Sequence, residues 1–224
     1  MKMFYKILIL LSVINGNQAI IKNIIFDIGG VILADGPEYF VQTLTHKEER
    51  NAGSAIVKSV VWDDWNQGEI SCKELSNILI KQHFDPKLVT WIITETLNPN
   101  RPFVEETVTI IKQLKNVGYN LYILSNFSEE AYRIFINSNN NLFDLFDGMI
   151  FSYQIGCLKP DHPIYNKLLE AYHLSVEESL FIDDSAKNIN SAKDLGILGI
   201  LYKKGTLAVE LKKLGINLIE NLND

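Results

Sequence analysis

The sequence predicts an α/β protein: a doubly wound parallel sheet with an all-helical segment inserted after the first strand. Three observations lead there. Five short apolar runs, nearly free of polar residues, are what parallel strands covered on both faces require. After about Arg101 these runs alternate with helical patterns, as in successive βαβ units. Between Asp35 and Asn100 the alternation stops and only helical stretches are found.

The first strand is Asn23–Asp27. In the insertion, helical stretches are expected around Pro37–Thr45 and Glu48–Trp65. "SCKE" (Ser71–Glu74) forms a capping box ahead of "LSNILIKQHF", because serine and glutamate can each accept from the other's exposed backbone N–H. Asp85 and Pro86 open a further helix as N-cap and first helical residue. About four helices therefore fill residues 35–100, and the α/β core takes residues 20–34 and 101–224. The next helix, "PFVEETVTIIKQLKNVG", opens on Pro102 and closes on Gly118. Tyr119–Asn126, Gly148–Tyr153, Ser179–Asp184 and Gly199–Tyr202 complete the five strands.

The chain has 224 residues, 47% of them hydrophobic and 21% charged, enough for one domain that carries a smaller one. Its net charge of -6 argues against nucleic acid and anionic membrane surfaces as partners, because both repel it. Small anionic substrates stay open, since a local site can hold the opposite charge. Cys72 and Cys157 form neither a CxxC pair nor a metal-ligand spacing and read as two independent thiols. Residues 1–19 carry Lys2 and Lys6, an apolar run Ile7–Ile14 and a polar end at Ala19, and resemble a short secretory signal peptide. The apolar run is far shorter than the ~20 residues of a membrane helix, so no stable membrane span is expected. Cleavage there implies a secreted or periplasmic protein; otherwise the segment is an N-terminal extension of a cytoplasmic one.

In open α/β sheets, ligands bind beyond the carboxyl ends of the strands. Asp27, Ser125-Asn126 and Asp183-Asp184 each end a strand, and Lys159 follows in the loop after Gly156. Singly, each reads as a turn, a helix start or a solvated charge. Together, at successive strand ends, they suit phosphoryl transfer. Carboxylates from separate strands can hold Mg²⁺, a hard cation that takes oxygen ligands and neutralises a phosphate. Asp27 is then the nucleophile. Ser125 and backbone N–H groups can donate to phosphate oxygens, and Lys159 can offset charge on nucleophile and phosphate together. Gly29 and Gly30 allow a tight turn and a close backbone approach to the phosphate.

Four motifs in this order resemble the haloacid dehalogenase superfamily of phosphatases: "FDIGGVIL", "LSN" (Leu124–Asn126), "LKPDHPIY" (Leu158–Tyr165) and "FIDDSAKNINSAKDLG" (Phe181–Gly196). The resemblance spans about Lys22–Tyr202 and implies a Rossmannoid core with an inserted helical cap of the C1 type on residues 35–100. "WNQGEIS" (Trp65–Ser71) is similar to cap stretches of glucose-1-phosphate phosphatases. The resemblance implies Asp27 as nucleophile and metal ligand, the carbonyl of Gly29 as a second ligand, and Asp184 as a direct ligand with Asp183 beside it. Phosphate would be held by Ser125, Asn126, Lys159 and Gly30, and Asn188 would brace the acidic loop. The chain departs from the family at Gly29, where most of these phosphatases place a second aspartate as general acid and base; such help is typically worth ~10²–10⁴-fold. Asp35 is a candidate substitute, and a sugar 1-phosphate, whose anomeric oxygen leaves easily, would need less help. The expected activity is Mg²⁺-dependent hydrolysis of a small phosphorylated metabolite, a sugar phosphate by preference. The alternatives are a 2-haloacid dehalogenase-like hydrolase, which lacks the acidic pair, and a catalytically weakened binding protein. Trp62, Trp65 and His46 are candidates for the cavity entrance, with an aromatic core of the insertion as the other reading of them.

Overall fold

The computed structural model describes residues 20–34 and 36–218. The expected signal peptide and Asp35 lie outside the described residues. Five strands, β1 (Asn23–Phe26), β2 (Asn120–Ser125), β3 (Gly148–Phe151), β4 (Ser179–Asp183) and β5 (Leu198–Leu201), form one parallel sheet in the order β3-β2-β1-β4-β5. Both faces of the sheet are covered, which is why its strands read as unbroken apolar runs. Ile24, Phe26, Leu121, Ile123, Leu180 and Ile182 pack into one core, while Ile25, Tyr122, Leu124 and Phe181 pack into another on the opposite face.

The chain order reverses between β1 and β4, and that reversal opens a crevice at their carboxyl ends. The register is decisive there. Phe26 pairs with Ile182 on one side and Ile123 on the other, so Asp27 falls level with Asp183 and next to the end of β2.

Five helices occupy the insertion: α1 (Pro37–Thr43), α2 (Lys47–Val57), α3 (Val60–Asn66), α4 (Cys72–Lys81) and α5 (Pro86–Thr96). They enclose a core of their own, with Trp65, Leu75, Leu79, Val89 and Ile92 fully buried. The sequence reading expects one helical stretch over Glu48–Trp65, and the structure breaks it in two. Ser59 is extended and its hydroxyl accepts from the Trp62 N–H at 3.2 Å, so a new helix starts at Val60. The capping box at Ser71 and the Asp85 cap both form.

The helix after the insertion, α6 (Glu105–Val117), starts three residues later than Pro102 suggests, and Gly118 closes it at φ 97°. Residues before α6 pair instead with the loop after β1. Ala34 donates to the Pro102 carbonyl at 2.9 Å and Val104 to the Ile32 carbonyl at 2.8 Å, so the two linkers of the insertion run side by side. The remaining helices are α7 (Glu129–Ser138), α8 (Asn140–Phe143), α9 (Ser152–Ile155), α10 (His162–Tyr172), α11 (Ala186–Asp194) and α12 (Leu207–Lys213). Cys72 and Cys157 are free thiols. Among the described residues no helix is long and apolar enough to cross a membrane.

Candidate active site

The structure gathers the predicted residues at the crevice between β1 and β4. Lys159 is buried, and its ammonium lies 2.8 Å from Asp27 Oδ1 and 2.7 Å from Asp183 Oδ2. The ring of Phe181 lies beneath it, 5.3 Å from Nζ to the centroid. Asn126 holds the lysine from behind. Its Oδ1 accepts from the Lys159 N–H at 2.8 Å and its Nδ2 donates to the Lys159 carbonyl at 3.0 Å. The side chain of Asn126 thus braces the lysine backbone, and the residue also lines the neighbouring cavity. Asp183 is fully buried and fully engaged. Asn188 Nδ2 donates to both its oxygens, at 3.1 and 3.0 Å, and the Ser185 N–H, at the start of α11, donates to Oδ1 at 2.8 Å.

Asp27, Asp183 and Asp184 each offer an oxygen within 4.8 Å of the other two. Three carboxylates thus surround one ammonium. Burial pushes the Asp27 carboxyl up, with Lys159 opposing it and Asp183 adding to it. Burial alone would lower the Lys159 ammonium, but the attraction of Asp183 and Asp27 outweighs it and keeps the group charged. Asp184 opens to solvent, yet crowding by protein atoms and the charges of Asp27 and Asp183 push its carboxyl up to about 7. The cluster carries more negative charge than one lysine can offset.

The two glycines play different parts. Gly30 adopts φ 71°, and a Cβ there would overlap the Asp184 carboxylate, so its bare backbone makes room for that aspartate. It is not among the residues lining the neighbouring cavity, whereas Gly29 is, and a Cβ at Gly29 would meet nothing within 4 Å.

That cavity, of about 240 Å³, lies between the sheet edge and the insertion. Asp27, Gly29, Ser125, Lys159 and Asn188 form its floor, and Val57, Trp62, Asp63, Asn66 and Glu38 contribute from the insertion. Of the aromatic candidates only Trp62 lines it. Trp65 is wholly buried, and His46 is exposed at the start of α2, outside the lining.

Sequence reasoning missed the ties that hold the insertion over this floor. Glu130, in the first turn of α7, accepts from the Trp65 indole N–H at 2.9 Å and from the Cys72 N–H at 2.8 Å. The buried Ser152 hydroxyl donates to the Asn66 carbonyl at 2.6 Å and accepts from the Phe127 N–H at 2.8 Å. Arg101, buried in the cavity wall 5.2 Å from the Phe40 ring centroid, was also missed. No local motif marks these residues; their partners lie up to 86 positions away.

The model of the haloacid dehalogenase-like hydrolase family matches residues 21–196. The chain belongs to this family. Among proteins similar to this haloacid dehalogenase-like hydrolase is a sesquiterpene phosphatase of Aspergillus oryzae, 28% identical over 86% of this chain and 96% of that one. A D-ribitol-5-phosphate phosphatase of Bacteroides thetaiotaomicron is 29% identical over 79% of this chain and 89% of that one. A family enzyme of the same bacterium, solved in complex with magnesium and inorganic phosphate, shares the fold with a TM-score of 0.60 at 19% identity, covering 83% of this chain and 96% of that one.

Proposed function

We propose that this hydrolase is a magnesium-dependent phosphatase of a small phosphorylated metabolite, a sugar or polyol monophosphate by preference, and that Asp27 carries the phosphoryl group transiently. The observation that carries the reading is the Asp27 carboxylate at the cavity floor, 2.8 Å from a buried ammonium that Asp183 shares. Asp27 attacks phosphorus. Lys159 orients it and offsets charge on the transferring group. Ser125, at the end of β2 beside the cavity, is placed to donate to a phosphate oxygen.

The residues present fit a divalent cation. Three oxygen donors converge; burial, and after it the charges of Asp27 and Asp183, push Asp184 up to about 7, and that negative charge is what such an ion would neutralise. Asp27 and Asp184 would hold it, with the Gly29 carbonyl as a further oxygen. Asp183, saturated by Lys159, Asn188 and Ser185, would steady the lysine and the loop. When bound, Mg²⁺ screens the phosphate charge from the attacking carboxylate.

Phosphatase names among the relatives support the reaction class, and the cavity supports the size of the substrate. About 240 Å³ is below the usual range of ligand pockets and suits a small leaving group. Glu38, Asp63, Asn66 and Thr96 line it beside Val57, Trp62, Phe127 and Ala131, and the polar four can accept from and donate to hydroxyls. We infer that the insertion acts as a cap, and that its walls choose the leaving group.

Hydrolysis of 4-nitrophenyl phosphate with and without Mg²⁺, on wild type and Asp27→Asn, tests the reading. Metal-dependent turnover lost in the variant supports it. No turnover in wild type toward this ester or a panel of sugar phosphates would leave a ligand-binding protein instead.

A further inference from the structure

A sugar or polyol leaves phosphorus as an alkoxide, which needs a proton. The cavity holds few groups that can give one. Asp27 is committed to phosphorus. Lys159 is held as an ammonium between two carboxylates, and Arg101 stays charged at any working pH. Gly29 offers no side chain. Glu38 is turned toward Lys58, 3.8 Å away, with 71% of its side chain in solvent. Among the described residues Asp63 remains: it lines the cavity from an exposed position, and, unlike that of Glu38, its carboxylate has no hydrogen-bond or ion-pair partner among them.

The helix that carries Asp63 is tied to the core at two places. Its Trp65 is held by Glu130 and its Asn66 carbonyl by Ser152. Gly68, just past the helix, has little room for a Cβ against Tyr153 of α9. Trp62, Asp63 and Asn66 line the cavity from this anchored helix, on the side of the insertion.

We propose that Asp63 is the catalytic acid and base of this site, donating a proton to the leaving oxygen and recovering one from water. The proposal rests on the phosphatase reading above. In the first step the bond from Asp27 oxygen to phosphorus forms, the bond from phosphorus to the leaving oxygen breaks, and that oxygen takes the Asp63 proton. In the second, Asp63 carboxylate removes a proton from water as the water oxygen bonds to phosphorus. The bond from phosphorus to Asp27 then breaks, which returns both aspartates to their starting forms. Burial and the neighbouring Asp64 charge raise the Asp63 carboxyl, in the direction an acid needs. The charged group acting on it directly is Asp64 on its own helix; Glu38, Arg101, Lys159 and Asp27 line the same cavity.

The test compares leaving groups. Wild type and Asp63→Asn, both checked for folding by thermal melt, are assayed with Mg²⁺ on 4-nitrophenyl phosphate, whose phenolate leaves unaided, and on ribitol 5-phosphate and glycerol 3-phosphate. In kcat/KM, which reports only the steps up to leaving-group departure, a drop of ~10²-fold or more on the alkyl esters, with the aryl ester within about threefold, is expected, while kcat falls on every ester because the second step loses its base. The Gly29→Asp change, for which the backbone leaves open space, should then restore at least tenfold on the alkyl esters in the Asp63→Asn background. Equal losses in kcat/KM on all esters, or no loss on any, would overturn the proposal while the phosphatase reading stands. Absence of wild-type turnover on every ester would overturn both.

Discussion

The sheet edge and the helical insertion meet at one cavity, and they are built on opposite terms. At the sheet edge the side chains are buried and bound to one another: Lys159 bridges Asp27 and Asp183, Asn126 grips the lysine backbone, and Asn188 spans both oxygens of Asp183. The insertion has its own apolar core and touches the floor through few polar contacts, chiefly those of Glu130 and Ser152. The difference teaches where precision is needed. Chemistry on phosphorus requires fixed charges, and a parallel sheet fixes them by register. If the insertion is the cap proposed above, substrate choice falls to a wall with its own core, which can be exchanged without disturbing the sheet edge.

Changes at the sheet edge should have the largest effects. Asp27→Asn should lower kcat by at least about 10⁴-fold, read from steady-state hydrolysis with Mg²⁺, because no other cavity group replaces the nucleophile. Its melting temperature should not fall, since one of three crowded carboxylates loses its charge. Lys159→Met should act on the fold as well as on turnover. It strands Asp27 and Asp183 without their cation and should cost about 3–5 kcal/mol in urea unfolding. Adding Asp183→Asn to that variant should recover part of the loss.

The pH dependence sharpens the same point. The Asp184 carboxyl titrates near 7 in the folded protein and near 3.8 otherwise, so between those values the native state holds more protons than the unfolded one. Metal-free stability should therefore fall as pH rises from about 4 to about 7, and level off above. A divalent ion competes with that proton. The melting-temperature gain from Mg²⁺ should be larger at pH 8 than at pH 5.5, and an equal gain at both would argue against Asp184 as a ligand.

The smallest effect is expected where the insertion meets the core. Glu130→Gln keeps one acceptor oxygen and loses the charge, so one of its two donors is left poorly paired. It should cost roughly 1–3 kcal/mol and raise KM for an alkyl phosphate several-fold, with kcat on 4-nitrophenyl phosphate nearly unchanged. An effect as large as that of Asp27→Asn would erase the contrast between the two regions.

Much of the site was legible because it follows strand ends. Asp27, Ser125 and the Asp183-Asp184 pair stand where an apolar run stops, and a parallel sheet aligns such stops on one edge. The break at Ser59 was present in the sequence as a capping residue inside an apolar stretch, and the helical period hid it. Asn126 looked like a ligand residue because its place in the chain is beside the site. Only the structure shows its amide turned toward the Lys159 backbone. Nothing local pointed to Glu130 or to the outlook of Asp63, since both depend on the angle at which a separate helical unit rests on the sheet.

By itself the sequence determined the strands, the caps and the short list of chemical groups, because alternation, capping and apolar runs are properties of neighbouring residues. The tertiary structure alone decided which carboxylates share the lysine, which glycine makes room for Asp184, and which face of α3 looks into the cavity. Those outcomes depend on register and on packing between segments dozens of residues apart, and on the burial that turns ordinary side chains into a charged site.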